Sequence, residues 1–201
     1  MKKTLLLSPL FLSLLLLNNG CTPQSLYPTE ESVPALETVI DLSSNTSTGL
    51  KSPTNIYSLP TVQGTKITIK EYPTGFDFPQ FRGKTVLLEV FGKHCEYCFE
   101  ELPIIHRLQR EYPNRLAIVA IQAQEAMSPR EASELIQTHN MHYPIIDREP
   151  ASDLLVELSK KYEWTGVLPF ILLIKDGVVQ YAFKEGHSSY EELQQSINET
   201  L

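Results

Sequence analysis

Two cysteines in a Cys-x-x-Cys arrangement are the residues of this sequence best suited to chemistry. Cys95 and Cys98 follow a short apolar run, residues 86–91, that is typical of a buried strand, and they precede apolar residues at helical spacing. Cys95 is therefore predicted at a helix N-terminus, where unpaired N–H groups and the helix dipole favour a thiolate. Cys98, one turn later, is expected to be more buried. The pattern indicates a nucleophilic thiol, Cys95, and a resolving thiol, Cys98.

Two other kinds of site also use a Cys-x-x-Cys pair. Half of a zinc site would need a second pair or further Cys and His ligands at suitable spacing, and the sequence has no second Cys-x-x-Cys. A structural disulfide would be compatible with an exported protein, although closing so short a loop contributes little stability. The strand before the pair, the helix after it and a proline downstream favour a redox-active pair.

Glu89 is the one polar residue in the apolar run that precedes the cysteines. A carboxyl group in a core strand must be hydrogen-bonded, paired or kept protonated. Burial would raise its pKa, and Glu89 could then accept the proton of Cys98 when a mixed disulfide is resolved. The alternatives are an exposed edge residue or a buried ion-pair partner.

The segment around the cysteines resembles a known family. Residues 91–103 (FGKHCEYCFEELP), with a strand upstream and Leu168-Pro169 downstream, resemble the thioredoxin superfamily and, within it, the ResA/TlpA-type extracytoplasmic thioredoxins. The resemblance covers residues 59–201. It implies an α/β thioredoxin-like fold, a central mixed β-sheet flanked by helices, to which the sequence adds an N-terminal β-hairpin.

The same resemblance implies further site residues. Glu101 would lie near the cysteines as a second candidate for proton transfer, although it could also be a first-turn acid that complements the helix dipole. Leu168 and Pro169 match the cis-proline segment that contacts substrate in the family. His94 occupies the place of the family's usual aromatic residue and is expected at the same substrate-binding surface.

The N-terminal residues predict export. Residues 1–20 resemble a signal peptide, with two lysines before an apolar run that is shorter than the ~20 residues of a membrane-spanning helix. Cys21 follows this run and resembles a bacterial lipidation site; the alternative is a thiol left unpaired by ordinary cleavage nearby. Residues 22–58 are rich in Ser, Thr, Pro and Asn, which favours a flexible tether. The predicted organisation is a signal peptide, a lipidated tether at 21–58 and a thioredoxin-like domain at 59–201.

Within the predicted domain, several local patterns indicate individual elements. The predicted elements are a hairpin at residues 59–69, a strand at 116–121, a helix opened by a capping box at Ser128, a short strand or extended loop at 143–146, a helix at 152–162, a hairpin of 170–175 with 178–183, and a closing helix at 188–197. Strands that alternate with helices before a terminal hairpin predict a mixed sheet between helical layers.

Composition and resemblance together predict a function. The net charge is −7 without a basic patch, which argues against nucleic acid, and no metal-ligand spacing joins the histidines. We expect an extracytoplasmic, membrane-anchored thiol-disulfide oxidoreductase that reduces protein disulfides with no cofactor beyond its own disulfide. The resemblance implies protein partners such as apocytochrome c and a membrane electron donor of the DsbD or CcdA type. The alternatives are a disulfide oxidase or isomerase, or a non-catalytic copper-binding module.

Overall fold

The computed structural model describes residues 52–184 and 186–201. The predicted signal peptide, Cys21 and most of the predicted tether lie outside these residues. The elements, in chain order, are β1 Asn55–Pro60, β2 Lys66–Tyr72, β3 Gly75–Asp77, β4 Thr85–Phe91, α1 Glu96–Glu111, β5 Leu116–Gln122, α2 Pro129–His139, β6 Ile145–Ile146, α3 Arg148–Tyr162, β7 Phe170–Lys175, β8 Val178–Phe183 and α4 Tyr190–Thr200.

The central sheet is mixed and has the strand order β6-β5-β4-β7-β8. Strands β4, β5 and β6 are parallel, whereas β7 and β8 run antiparallel to their neighbours. Every residue of β4 is buried, as expected of a central strand covered on both faces. The predicted α/β thioredoxin-like fold with a mixed sheet is confirmed.

The alternation of β4 assigns its side chains to two separate cores. Val86, Leu88 and Val90 pack on the face shared with α3 and the N-terminal strands. Leu87 and Phe91 pack on the other face, with the buried side of α1. Because side chains alternate along a strand, Glu89 also faces α1, the helix that carries Cys98.

The N-terminal extension is larger than the predicted hairpin. It is a three-stranded antiparallel sheet, β1-β2-β3, whose apolar residues Ile67, Ile69 and Phe76 are buried in the core beside α3. Strand β1 begins at Asn55, four residues before the predicted domain start. In its first half, Asn55 and the apolar Ile56 are both exposed, and Asn55 donates a 2.8 Å hydrogen bond to the carboxylate of Glu71. The alternation that predicts a strand is therefore missing there.

Two helices differ from prediction at their ends. Helix α3 begins at Arg148 instead of 152, because proline is tolerated in a first turn and Pro150 does not stop it. Helix α4 begins at Tyr190, capped by Ser189, since the N–H of Ser188 is bonded to Glu101. The predicted capping box at the start of α2 is confirmed. Among the described residues, no helix combines the length and the apolarity that crossing a bilayer requires.

Candidate active site

The turn between β4 and α1 presents the two cysteines at the start of the helix. Cys95 is the N-cap of α1, and its Sγ accepts a hydrogen bond from the N–H of Cys98 at 3.2 Å. The two sulfurs form a disulfide, with an S–S distance of 2.08 Å and Cα atoms 5.3 Å apart. The predicted position of Cys95 at a helix N-terminus is confirmed.

The two sulfur-bearing residues differ in exposure. Cys95 is half-buried, whereas Cys98 is only 1% exposed and packs in the core beneath α1. A protein partner can reach Cys95 but not Cys98. This agrees with the predicted division into a nucleophilic and a resolving thiol, whose roles stay a prediction.

A glutamine from the loop after β5 forms a hydrogen bond with the turn that precedes Cys95. The side-chain oxygen of Gln124 accepts a hydrogen bond from the N–H of His94 at 2.8 Å. The amide of Gln124 lies against Gly92, where an added Cβ would be 2.5 Å from Gln124 Cδ. Gly92 therefore leaves the space that Gln124 fills. The side chain of His94 is exposed, and its predicted role in substrate binding stays a prediction.

Lys93 supplies a second link between this turn and the next loop. Its Nζ lies 3.2 Å from the carbonyl oxygen of Ala126 and 3.2 Å from Glu131 Oε1 at the start of α2. Together, Lys93 and Gln124 hold the cysteine turn to the segment between β5 and α2. Neither residue could be identified from the sequence, because their partners lie thirty or more positions away and no local pattern marks them.

Glu89 lies in the middle of the central strand and is 1% exposed. Both oxygens of its carboxyl group lack a hydrogen-bond partner among the described residues. Burial, with a smaller contribution from the charge of Glu101, raises the pKa of Glu89 to about 8. The structure thus contradicts both alternatives, an exposed edge residue and a buried ion pair. Its role in proton transfer stays a prediction.

Glu101 is the second buried acid beneath the cysteines. It is fully buried on the inner face of α1, so it is not an exposed acid that complements the helix dipole. Its Oε1 accepts a 2.7 Å hydrogen bond from the N–H of Ser188, while its Oε2 has no partner among the described residues. Burial raises the pKa of Glu101, and the Ser188 hydrogen bond and the charge of His187 oppose this shift.

The segment before β7 completes the surface near the cysteines. The Leu168-Pro169 peptide bond is cis, as the resemblance implies, and Leu168 packs against the same core as Cys95 and Cys98. Trp164 stacks on Phe170 with ring centroids 5.6 Å apart, and its indole N–H donates to the carbonyl oxygen of Val167. Contact of Leu168 and Pro169 with substrate stays a prediction.

Two exposed apolar side chains flank the cysteine pair and the cis-proline segment. Tyr97, inside the Cys-x-x-Cys, is 64% exposed, and Val167, just before Leu168, is 46% exposed. Both side chains are therefore accessible to a partner protein. In the described part of the chain, no three His, Cys, Asp or Glu residues are grouped so that they could hold a metal ion.

Comparisons with known proteins find relatives that match part of this chain. No family model matches the chain. Over 91 residues, 45% of this chain and 48% of the relative, it is 30% identical to the thioredoxin-like protein YneN of Bacillus subtilis strain 168. Over 140 residues, 68% of this chain and 69% of the relative, it is 27% identical to the thiol-disulfide oxidoreductase ResA of Bacillus thuringiensis subsp. konkukian. The chain thus spans about half of the first relative and about two thirds of the second.

Solved structures share the fold at lower identity. A secreted disulfide oxidoreductase of Mycobacterium tuberculosis, described as homologous to Escherichia coli DsbE, superposes with a TM-score of 0.53 at 15% identity. The alignment covers 71% of this chain and 95% of that protein. At this identity the likeness shows the fold alone.

Proposed function

We propose that the chain is a thioredoxin-like thiol-disulfide oxidoreductase whose active site is the Cys95–Cys98 pair, and that it reduces protein disulfides outside the cytoplasm. The observation that carries this proposal is the geometry of the pair. One sulfur is accessible at a helix N-terminus, and the other is buried in the core under α1, on the side of the sheet that Glu89 also faces. This arrangement gives the two thiols the different environments that stepwise disulfide exchange requires.

The reaction would proceed in two displacements. The Cys95 thiolate attacks a substrate disulfide, and one substrate sulfur leaves as a thiolate that takes a proton from solvent. Cys98 then gives its proton to an ionised buried carboxylate, Glu89 or Glu101, and attacks the Cys95 sulfur. The second substrate sulfur leaves, and the protein keeps the Cys95–Cys98 disulfide. An external dithiol must restore the two thiols before the next turnover.

Glu96, the residue after Cys95, favours reduction of the substrate disulfide by this protein. Glu96 is exposed in the first turn of α1, where a negative charge opposes the formation of a thiolate at Cys95. A less stable thiolate makes the dithiol a better electron donor. His94, on the other side of Cys95, acts in the opposite sense whenever its ring is protonated.

The proposed substrates and location follow from the relatives. A relationship to ResA supports protein thiols and disulfides as substrates, and the family resemblance points to the haem-attachment cysteines of apocytochrome c. One protein with the same fold is described as secreted. We extend the proposal to a lipid anchor at Cys21 and to a membrane electron donor of the DsbD or CcdA type.

The reduction potential of the Cys95–Cys98 pair tests the proposed direction. The full-length protein is equilibrated with dithiol buffers, and the oxidised fraction is counted after alkylation of free thiols. A potential near −270 mV, about that of thioredoxin, is expected for a reductant, while a potential near −120 mV would make the protein an oxidase. A Cys95→Ser/Cys98→Ser variant is the control. Tight, stoichiometric copper binding without disulfide exchange would instead support a metal-binding module.

A further inference from the structure

Four polar side chains, on α1 or in the core that it covers, share an unusual property. In the described part of the chain, every buried side-chain nitrogen or oxygen without a hydrogen-bond partner belongs to one of them. The residues are Glu89, Glu101, His106 and Tyr143. Buried polar groups in proteins are almost always bonded to protein atoms or to ordered water. Their confinement to one region therefore points to a hydrated interior rather than to scattered exceptions.

Strand pairing shows how these side chains adjoin one another. Glu89 pairs with Ala120 on β5, and Ala120 pairs with Ile145 on β6, all on the face covered by α1. Ala120 contributes only a methyl group to this row, between the longer side chains of Glu89 and Ile145. Tyr143 lies two residues before Ile145 and packs in the same core. Burial raises the pKa of Tyr143, and negative charge on Glu89 raises it further.

The row continues from Tyr143 to the surface. The rings of Tyr143 and His106 lie 6.5 Å apart, and His106 is half-buried on α1. Burial is the main cause that lowers the pKa of His106, and Arg110 and His142 lower it further. A neutral imidazole can both accept and release a proton at neutral pH. At the other end, Glu101 stands on the helix that also carries Cys98, one turn later.

From this placement we propose that Tyr143 and His106, linked by internal water, conduct protons between the buried Glu89–Glu101 carboxyl pair and solvent. The proposal rests on the disulfide-exchange function given above. The proton that Cys98 releases during resolution passes to a carboxylate, then through water and the Tyr143 hydroxyl to the His106 imidazole, which releases it to solvent. When the Cys95–Cys98 disulfide is reduced, a proton follows the same path in the opposite direction, from solvent to Cys98. Tyr143 and His106 are relay residues that do not touch the substrate.

A chromogenic disulfide can separate the two chemical steps. Dithiobis(nitrobenzoate) releases one coloured thiolate when Cys95 attacks and a second when Cys98 resolves the mixed disulfide. Stopped-flow traces of the reduced full-length protein with Cys21→Ser, which leaves Cys95 and Cys98 as the only thiols, are recorded in water and in deuterium oxide. The variants are Tyr143→Phe, His106→Gln and their combination. Tyr112→Phe is the matched control, because Tyr112 is a buried tyrosine of the same core whose hydroxyl already donates to Asn198 at 2.7 Å.

We expect Tyr143→Phe and His106→Gln to slow the second release about tenfold or more and to leave the first unchanged. The deuterium effect on the second release should grow, and the double variant should be no slower than the slower single one. The proposal is overturned if Tyr143→Phe matches both Tyr112→Phe and the unchanged protein in the second release, or if both releases slow equally. If Tyr143→Phe does not fold, the result for His106→Gln decides in the same way. If the protein with native Tyr143 and His106 releases only the first coloured thiolate, the proposed disulfide-exchange function itself is refuted.

Discussion

The backbone N–H of His94 and the side-chain oxygen of Gln124 lie 2.8 Å apart, and this bond joins the turn before Cys95 to the loop after β5. Gly92 makes the bond attainable, since a side chain there would occupy the space of the Gln124 amide. The position of the active-site turn thus depends on a glutamine that is distant in sequence. Two substitutions can test this dependence.

Gly92→Ala should force the Gln124 side chain away and remove its bond to His94. The free energy of unfolding should fall by about 1 kcal/mol, the usual contribution of one hydrogen bond, and disulfide exchange should slow. In a Gln124→Ala protein, Gly92→Ala should lower the free energy of unfolding only slightly further, because the hydrogen bond to His94 is already lost. Urea denaturation of the four proteins in this cycle measures the coupling. Fully additive losses would show that Gly92 and Gln124 act independently.

Cys95 should react with iodoacetamide faster than Cys98 in the reduced protein at neutral pH. The reason is that Cys95 is half-buried at a helix N-terminus, whereas Cys98 is almost completely buried. Cys95→Ser should abolish exchange, and Cys98→Ser should accumulate mixed disulfides with partners. Mass spectrometry of the alkylated peptides gives both rates. Equal rates, or trapping by Cys95→Ser alone, would reverse the assigned roles.

Glu89→Gln should raise the stability of the protein at neutral pH. The pKa of Glu89 is about 8 in the folded protein against an ordinary value of 4.5. The unfolded chain therefore ionises this group first, and stability falls as the pH rises from 4.5 to 8 and is level above that. Glutamine removes this loss, which amounts to about 3 kcal/mol at pH 7. Urea denaturation of both proteins at several pH values measures this difference in the free energy of unfolding.

The exposed residue Glu100 provides the control for this change, since Glu100→Gln makes the same substitution outside the core. The same Glu89→Gln protein should resolve the mixed disulfide about 100-fold more slowly if Glu89 accepts the Cys98 proton. Formation of the mixed disulfide should be almost unaffected. Unchanged resolution would leave Glu89 a structural residue and make Glu101 the better acceptor. A large loss of stability would point to a charge partner for Glu89.

Glu101→Gln should lower the pKa of Glu89, because the negative charge of Glu101 contributes to raising it. The glutamine oxygen can still accept the Ser188 N–H, so the start of α4 should be preserved. Infrared spectra of the carboxyl stretch across a pH series report the titration of Glu89 directly. A midpoint that stays near 8 would mean that burial alone sets the pKa.

Cys21→Ser should release the protein from the membrane without harming the folded domain. The first described strand begins at Asn55, and the domain core is built from residues after it. Fractionation after a salt wash, with the unfolding midpoint of the released protein as the control, measures both effects. A variant that remains bound would indicate an uncleaved apolar segment or a second attachment to the membrane.

The sequence predicted the central part of this fold well, because the apolar run of β4, the capping box of α2 and the Asp176-Gly177 turn are local signals. The start of β1 is not predicted, because apolar Ile56 is exposed there and the flanking Asn55 and Tyr57 donate hydrogen bonds to Glu71 on β2. Burial of Glu89 was predicted from its apolar neighbours. The relationship of Gln124 to His94 and that of Tyr143 to Glu89 depend on tertiary contacts, which leave no periodic pattern in the chain.

Trp164 is the only tryptophan of the sequence, and its ring stacks on Phe170 next to the cis-proline segment. Indole fluorescence depends on the polarity and the quenchers around the ring, so the emission of the whole protein originates beside the surface where a partner would dock. Binding of a partner protein could therefore be followed optically, without a dye. A Cys98→Ser protein titrated with tryptophan-free peptides would yield their affinities in solution from its own emission.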